Sequence, residues 1–157
     1  MNDSDKVINT NRKANFDYTI EQTIECGIIL KGTEIKSLRV QGCNLNDSYI
    51  KINKSEAWLC QMEIPCYKFG NIENHDPFRL RKLLMHKKEI VFLQDSIERK
   101  GLACVPLKIY LKKGLAKVLI GIGKGKKLYD KRQSIKKKDV QKEIDRVKKS
   151  VNLRNYK

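Results

Sequence analysis

Acidic residues, prolines and histidines are all scarce in this chain. Its 157 residues carry 18 Asp and Glu against 34 Lys and Arg, with three prolines and two histidines. With only His75 and His86 available, and no Cys or carboxylate standing at zinc-ligand spacing, a metal site is not expected. Cys26, Cys43, Cys60, Cys66 and Cys104 are odd in number, scattered and without a C-x-x-C pair, which argues against a disulfide framework and fits reduced thiols. There is no apolar run of membrane-spanning length and no helix pattern with a broad apolar face, so no membrane partner is expected. The opening MNDSDKVINTNRK lacks an apolar h-region, so no secretory signal is expected and the location read from sequence is cytoplasmic. GIGKGKK looks like a phosphate loop but misses the G-x-x-x-x-G-K-[ST] spacing. No cofactor follows from any of these features.

What is abundant is positive charge. The formal net charge is +16 and the isoelectric point near 9.7, the electrostatic footprint of a nucleic-acid partner. Hydrophobic residues at 40% suffice for a core, while 33% charged residues must coat its surface. The charge is uneven: residues 124–157 hold 14 basic and 4 acidic residues, net +10, and few large apolar side chains. A segment so composed cannot offset the entropy of ordering by burial. The sequence therefore divides into a folded part, residues 1–123, and a basic tail, residues 124–157, expected to be disordered when free. Val140, Ile144, Val147 and Val151 recur at one helix-face period within the tail, so a helix can form where phosphates screen its lysines.

Phe16 to Leu30 reads as a long strand, with Gly27 as a bulge or bend. GTEIKSLRVQG predicts a short helix capped by Thr33 and ended before Gly42. SYIKI and AWLCQMEI, joined by Asn53-Lys54-Ser55, predict a hairpin. YKFGNIENHDPFR reads as an exposed loop, and RLRKLLM is ambiguous. Ile90, Leu93 and Ile97 predict a helix over residues 87–100 that stops at Gly101. ACVPLKIYL and AKVLIGI, joined by Lys112-Lys113-Gly114, predict a second hairpin. The fold class is mainly β with short helices (α+β), an antiparallel OB-like Greek-key β-barrel with a basic C-terminal tail. The residues alone leave three readings open: an RNA-binding module, a ribosomal structural protein lying in rRNA grooves, and a ribonuclease using His75 with His86 as acid and base.

Four blocks decide among them by likeness. NRKANFDYTIEQTIECGIILKGTEIKSLRVQGCNLNDSYIKI, NHDPFRLRKLLMHKKEI, GLACVPLKIYLKKGLAKVLIGIGKGKK and LYDKR stand in the order and spacing of the small protein B (SmpB) family, the SsrA-binding proteins of bacterial trans-translation, which the chain resembles from residue 11 to about 150. The resemblance implies an OB-like barrel that binds the tRNA-like domain of tmRNA and escorts it to stalled ribosomes for ribosome rescue. Implied partners are tmRNA, the ribosome with its 16S rRNA, decoding centre and mRNA channel, and alanyl-tmRNA with elongation factor Tu. It also implies a tail that enters the empty mRNA channel and folds there as a helix.

By position, Glu25, Leu84 and His86 match residues of the family's RNA-binding surface. Asn11, Arg12, Lys13 and Tyr18 match its N-terminal block, and Lys36, Ser37 and Arg39 its K-S-L-R helix. Asn74, His75, Arg79, Arg81 and Lys82 fall in its loop, where guanidinium forks suit phosphate. Lys124, Gly125, Lys126 and Lys127 match the hinge into the tail. Asp130, Lys131 and Arg132 match the D-K-R triplet needed for tag translation. Phe78 and Leu80 depart from the family's usual Arg and Thr, which lowers the loop's charge and offers apolar packing or base stacking in its place. The Gly121-x-Gly123-x-Gly125 run is richer in glycine than the family requires, which predicts a looser hinge.

Overall fold

In the computed structural model, residues 6–154 are described, and they form two units that divide between Gly125 and Lys126. The first is built on one seven-stranded antiparallel sheet. Its strands are β1 (Lys6–Thr10), β2 (Tyr18–Ile28), β3 (Tyr49–Asn53), β4 (Glu56–Cys60), β5 (Arg81–Leu84), β6 (Ala103–Lys112) and β7 (Leu115–Gly125). They lie in the order β1-β6-β7-β2-β5-β4-β3, every neighbouring pair antiparallel. Helices α1 (Arg12–Asp17), α2 (Gly32–Val40) and α3 (Lys87–Glu98) connect them, with a 3-10 turn at Asn71–Glu73. The second unit contains helix α4, Leu128–Arg154.

Alternation explains which face of the sheet is the core. Ala57 and Leu59 on β4, Leu83 on β5, Ile109 on β6, and Val118, Ile120 and Ile122 on β7 all point inward and are buried. Leu38 from α2 and Leu93 from α3 join them, as does Leu45. Burial of each of these Leu, Ile and Val side chains stabilises the fold by roughly 1.5–3 kcal/mol. Both predicted hairpins are present. Their two-residue turns place Lys54 and Ser55, and Lys113 and Gly114, at positive φ, the conformation whose twist suits a tight antiparallel hairpin.

Several local expectations change. Phe16 lies in α1, so the first long strand starts at Tyr18 rather than at Phe16, and β1 lies ahead of it. The irregularity in β2 falls between Ile20 and Gln22, not at Gly27, which pairs regularly with Leu84 and Lys117. Gly27 is small because a Cβ there would come within 3.2 Å of the Leu84 Cβ. The glycines of β7 also serve the sheet. Gly123 sits against the Thr19 carbonyl where β2 bulges, so a side chain there would strike backbone, while Gly121 lies under Leu107. Lys124 and Gly125 pair with Thr19 and Tyr18. They are strand residues, and only Lys126 and Lys127 connect β7 to α4. Thr33 does not cap α2. The helix begins at Gly32, and the Glu34 carboxylate accepts the Lys31 N–H at 2.6 Å instead. The ambiguous RLRKLLM segment contributes β5.

Candidate nucleic-acid interface

Glu25 and Leu84 come together on the exposed side of the sheet, and His86 follows close by in the chain. Leu84 stands opposite Gly27, two residues along β2 from Glu25, and both strands alternate so that Leu84 and Glu25 face outward. His86 follows Leu84 by two residues, is exposed, and precedes α3, where its N–H donates to the Glu89 carboxylate at 2.8 Å. Glu25 is not a solitary acid among cations. Its carboxylate accepts a hydrogen bond from the Tyr110 hydroxyl and one from Lys112 Nζ at 3.4 Å. The Tyr110 bond and the positive charges of Lys112 and Lys117 outweigh partial burial and hold its carboxyl below the usual range. The Lys108 ammonium lies 5.2 Å from the Tyr110 ring centroid. Trp58, half-buried, faces the same side from β4, opposite Lys82 and Lys51.

Tyr110 and Lys112 were not among the residues picked from sequence. The alternation of Lys108, Tyr110 and Lys112 could have put the three on one face of a strand. Nothing local could have put that face beside Glu25, 85 residues earlier, because β7 lies between them.

The loop residues divide into exposed and enclosed. Arg81 is fully buried, its guanidinium donating to Glu34 Oε1 at 2.9 Å and to the carbonyls of Met62, Arg79 and Pro77. It is a structural ion-pair residue and not a phosphate grip. Arg79, partly exposed, closes on the same Glu34 through two bonds, 3.1 and 2.7 Å. Burial pushes the Glu34 carboxyl up, but the hydrogen bonds from Arg79 and the Lys31 N–H, with the charges of Arg81 and Arg79, hold it below its usual range. Burial lowers Arg81, and Glu34 opposes that shift.

His75 is buried with both ring nitrogens engaged. Nε2 lies 3.1 Å from the Ile64 carbonyl and so donates, while Nδ1 lies 3.0 Å from the Thr33 hydroxyl. It cannot reach RNA, nor serve with the exposed His86 as an acid–base pair on one substrate. Asn74 clamps Tyr67 through its N–H and carbonyl. Lys82 is half-exposed and ion-paired with Glu56.

Asn11 and Ser37 are likewise inside. The Asn11 side chain caps α1 by accepting the Ala14 N–H and donates to the Leu45 and Pro106 carbonyls, and Ser37 donates to the Pro65 carbonyl. These four buried residues, Asn11, Ser37, His75 and Arg81, shape the loops that carry exposed cations. Arg12, Lys13, Lys36 and Arg39 are exposed. Lys13 pairs with Asp47 at 2.6 Å beside an open groove of about 310 Å³ that Tyr18 and Tyr49 also line. Lys36 lies over the Tyr67 ring, and Arg39 reaches the Gly114 carbonyl at 3.3 Å.

In the second unit, Asp130 and Lys131 lie in the first turn of α4, where Asp130 suits the positive helix end, and Arg132 follows directly. Lys131 N–H donates to the Lys127 carbonyl at 3.1 Å. Val140, Ile144 and Val147 are exposed along it, and the Val151 side chain lies outside the described residues. Among the described residues, no group of three His, Cys, Asp or Glu is placed to hold a metal ion, and no helix is long and apolar enough to cross a membrane.

A one-sheet domain with an exposed face of cations, cation-paired acids and apolar side chains, joined to a basic helical segment, defines a nucleic-acid-binding protein. Comparison with known proteins sharpens this. The family model described as SmpB protein matches residues 8–150. The chain is 57% identical over 144 residues to the SsrA-binding protein of Bacillus velezensis, covering 92% of each chain, and 56% identical over 144 residues to that of Bacillus subtilis, again covering 92% of each. Against the SsrA-binding protein of Lysinibacillus sphaericus it is 52% identical over 149 residues, with 95% and 96% covered. A solved chain from "tmRNA-SmpB: a journey to the center of the bacterial ribosome" superposes with a TM-score of 0.65 at 47% identity, covering 84% of this chain and 93% of that one. The chain belongs to the SmpB family.

Proposed function

We propose that this protein is an RNA-binding, non-enzymatic factor of trans-translation: it binds the tRNA-like domain of tmRNA and delivers it to stalled ribosomes. The observation that carries the reading is that Glu25 and Leu84 share one exposed face, with exposed His86 two residues beyond Leu84, within a chain similar over most of its length to SsrA-binding proteins. The exposed cations Arg12, Lys13, Lys36 and Arg39, with half-exposed Lys82, add phosphate contacts. The sheet, curled so that β3 comes close to β6, works as an OB-like barrel, a shape that presents one curved face to structured RNA.

Residues 126–157 act as the ribosomal arm. Its helix α4 enters the empty mRNA channel near the decoding centre, and Asp130, Lys131 and Arg132 license tagging there. The working place is the cytoplasm, with alanyl-tmRNA carried by elongation factor Tu as the complex that enters the ribosome.

Filter retention of a tRNA-like RNA across a salt series tests the binding. Affinity should fall steeply between 50 and 200 mM salt, as release of several counterions requires, and unstructured RNA of equal length should compete poorly. Salt-independent binding, or equal competition, would remove the reading.

A further inference from the structure

Four large apolar side chains lie exposed beside the Glu25–His86 surface: Phe78 53%, Leu80 54%, Leu84 54% and Ile29 45%. Their arrangement is ordered. Outward Leu80, Lys82 and Leu84 alternate with inward Arg81 and Leu83, and Phe78 is carried on the turn just ahead of them. Ile29 lies across from Lys82, its N–H donating to the Lys82 carbonyl at 3.0 Å, so its side chain sits between Leu80 and Leu84.

The segment carrying Phe78 is held from beneath. Asp76 Oδ1 accepts the Phe78 N–H at 2.8 Å, and the Asp76 carbonyl accepts the Arg79 N–H. The Pro77 carbonyl accepts from the Ile64 N–H and from Arg81, and Arg79 is fastened to Glu34 and to the Ile29 carbonyl. An exposed phenyl ring is thus presented on a backbone fixed by a buried charge cluster, so little conformational entropy remains to be lost when a flat partner settles on it.

We infer that this stripe is a nucleobase platform: Phe78 stacks on one unpaired base of the bound RNA, and Leu80, Ile29 and Leu84 receive the sugar and the base edge. The inference rests on the RNA-binding reading of the adjoining face. It commits to RNA because the stripe is continuous with that face and is bordered by the exposed His86 ring and by Lys82 and Lys87, cations suited to the phosphates on either side of a splayed nucleotide.

Stacking neutralises no phosphate, so it contributes affinity without altering the salt dependence of binding, and this separates it from a charge contact. Filter retention of the tRNA-like RNA by the full chain should therefore show Phe78→Ala binding about tenfold more weakly, with a plot of log affinity against log salt parallel to that of the unmodified protein. Phe78→Trp should bind within twofold of it, and Leu80→Asn should weaken in the same parallel manner. Circular dichroism melts should be unchanged, since each side chain is exposed. Affinity of Phe78→Ala within twofold of the unmodified protein overturns the inference, and so does a weaker variant with a shallower salt slope. Sedimentation velocity supplies a third arm: self-association lost in Phe78→Ala with RNA affinity intact would make the stripe a contact between copies of this chain. If the unmodified protein shows no saturable, salt-dependent RNA binding, the functional reading itself fails, an outcome distinct from all of these.

Discussion

The hydroxyl of Tyr110 on β6 donates a hydrogen bond to the carboxylate of Glu25 on β2, across the intervening strand β7. An acid on an RNA-facing surface would ordinarily repel phosphate. Here Tyr110 and Lys112 occupy it, and it fixes where the Lys112 ammonium stands.

Glu25→Ala should therefore weaken RNA binding several-fold although it makes the protein more positive, and Tyr110→Phe should shift affinity in the same direction. Both are read by filter retention with folding checked by circular dichroism. Tighter binding by Glu25→Ala would mean that the carboxylate only opposes RNA.

The Glu34–Arg79–Arg81 cluster bears on stability. The folded-state pKa of Glu34 is depressed, so its contribution is present above the ordinary carboxylate value of 4.5 and is lost as pH falls through the lower folded-state value. Glu34→Gln leaves the enclosed Arg81 guanidinium without its anion and should cost about 3–5 kcal/mol at neutral pH by urea denaturation. The gap between variant and parent should narrow below pH 4. A constant gap down to pH 2 would show that the charge of Glu34 is not what holds Arg81.

At Gly123, replacement by Ala drives a methyl group into the Thr19 carbonyl, which is backbone and cannot rotate away. We expect a loss of more than about 2 kcal/mol, the scale of a steric insertion into a packed site, measured by thermal melting. Gly114→Ala meets no neighbouring atom and has only the strain of positive φ to overcome, so it should cost less, about 1 kcal/mol.

For the tail, the strand pairing of Lys124 and Gly125 moves the useful cut site to after Gly125, because removing those two residues would also shorten β7. A chain ending at Gly125 should bind the tRNA-like RNA within a few-fold of full length and fail to support tagging of a protein made from a non-stop message in reconstituted translation. Replacing Asp130, Lys131 and Arg132 together by Ala should give the same split with a change of only one net charge. Full tagging by either variant would reduce the tail to an affinity extension.

Local patterns made much of this legible in advance. The two hairpins, helix α3 and the break in composition near the end of β7 follow from alternation, helical period and charge. Gly27 and the Gly121–Gly125 run were misread because their smallness answers to Leu84, Leu107 and Thr19, neighbours that only the sheet order supplies. Arg81 and His75 were misread for a related reason. A polar residue in a basic loop looks like a surface ligand until its partners are known, and Glu34 and Thr33 lie more than 40 residues away. The family likeness placed Glu25, Leu84 and His86 on one face, but could not say what holds Glu25 there.

The strand order also dictates when the fold can form as the chain is synthesised. Strand β2 is emitted early, yet its longest ladder, with β7, needs residues 115–125, and β1 waits for β6. For most of translation an 11-residue, isoleucine-bearing strand therefore has no ladder partner along that edge. Pairings of such wide sequence separation close slowly and leave unpaired edges open to aggregation. Expression at low temperature or slow translation should accordingly change the soluble yield of Gly123→Ala more than that of Phe78→Ala, since only the former impairs the last pairing on which the sheet depends.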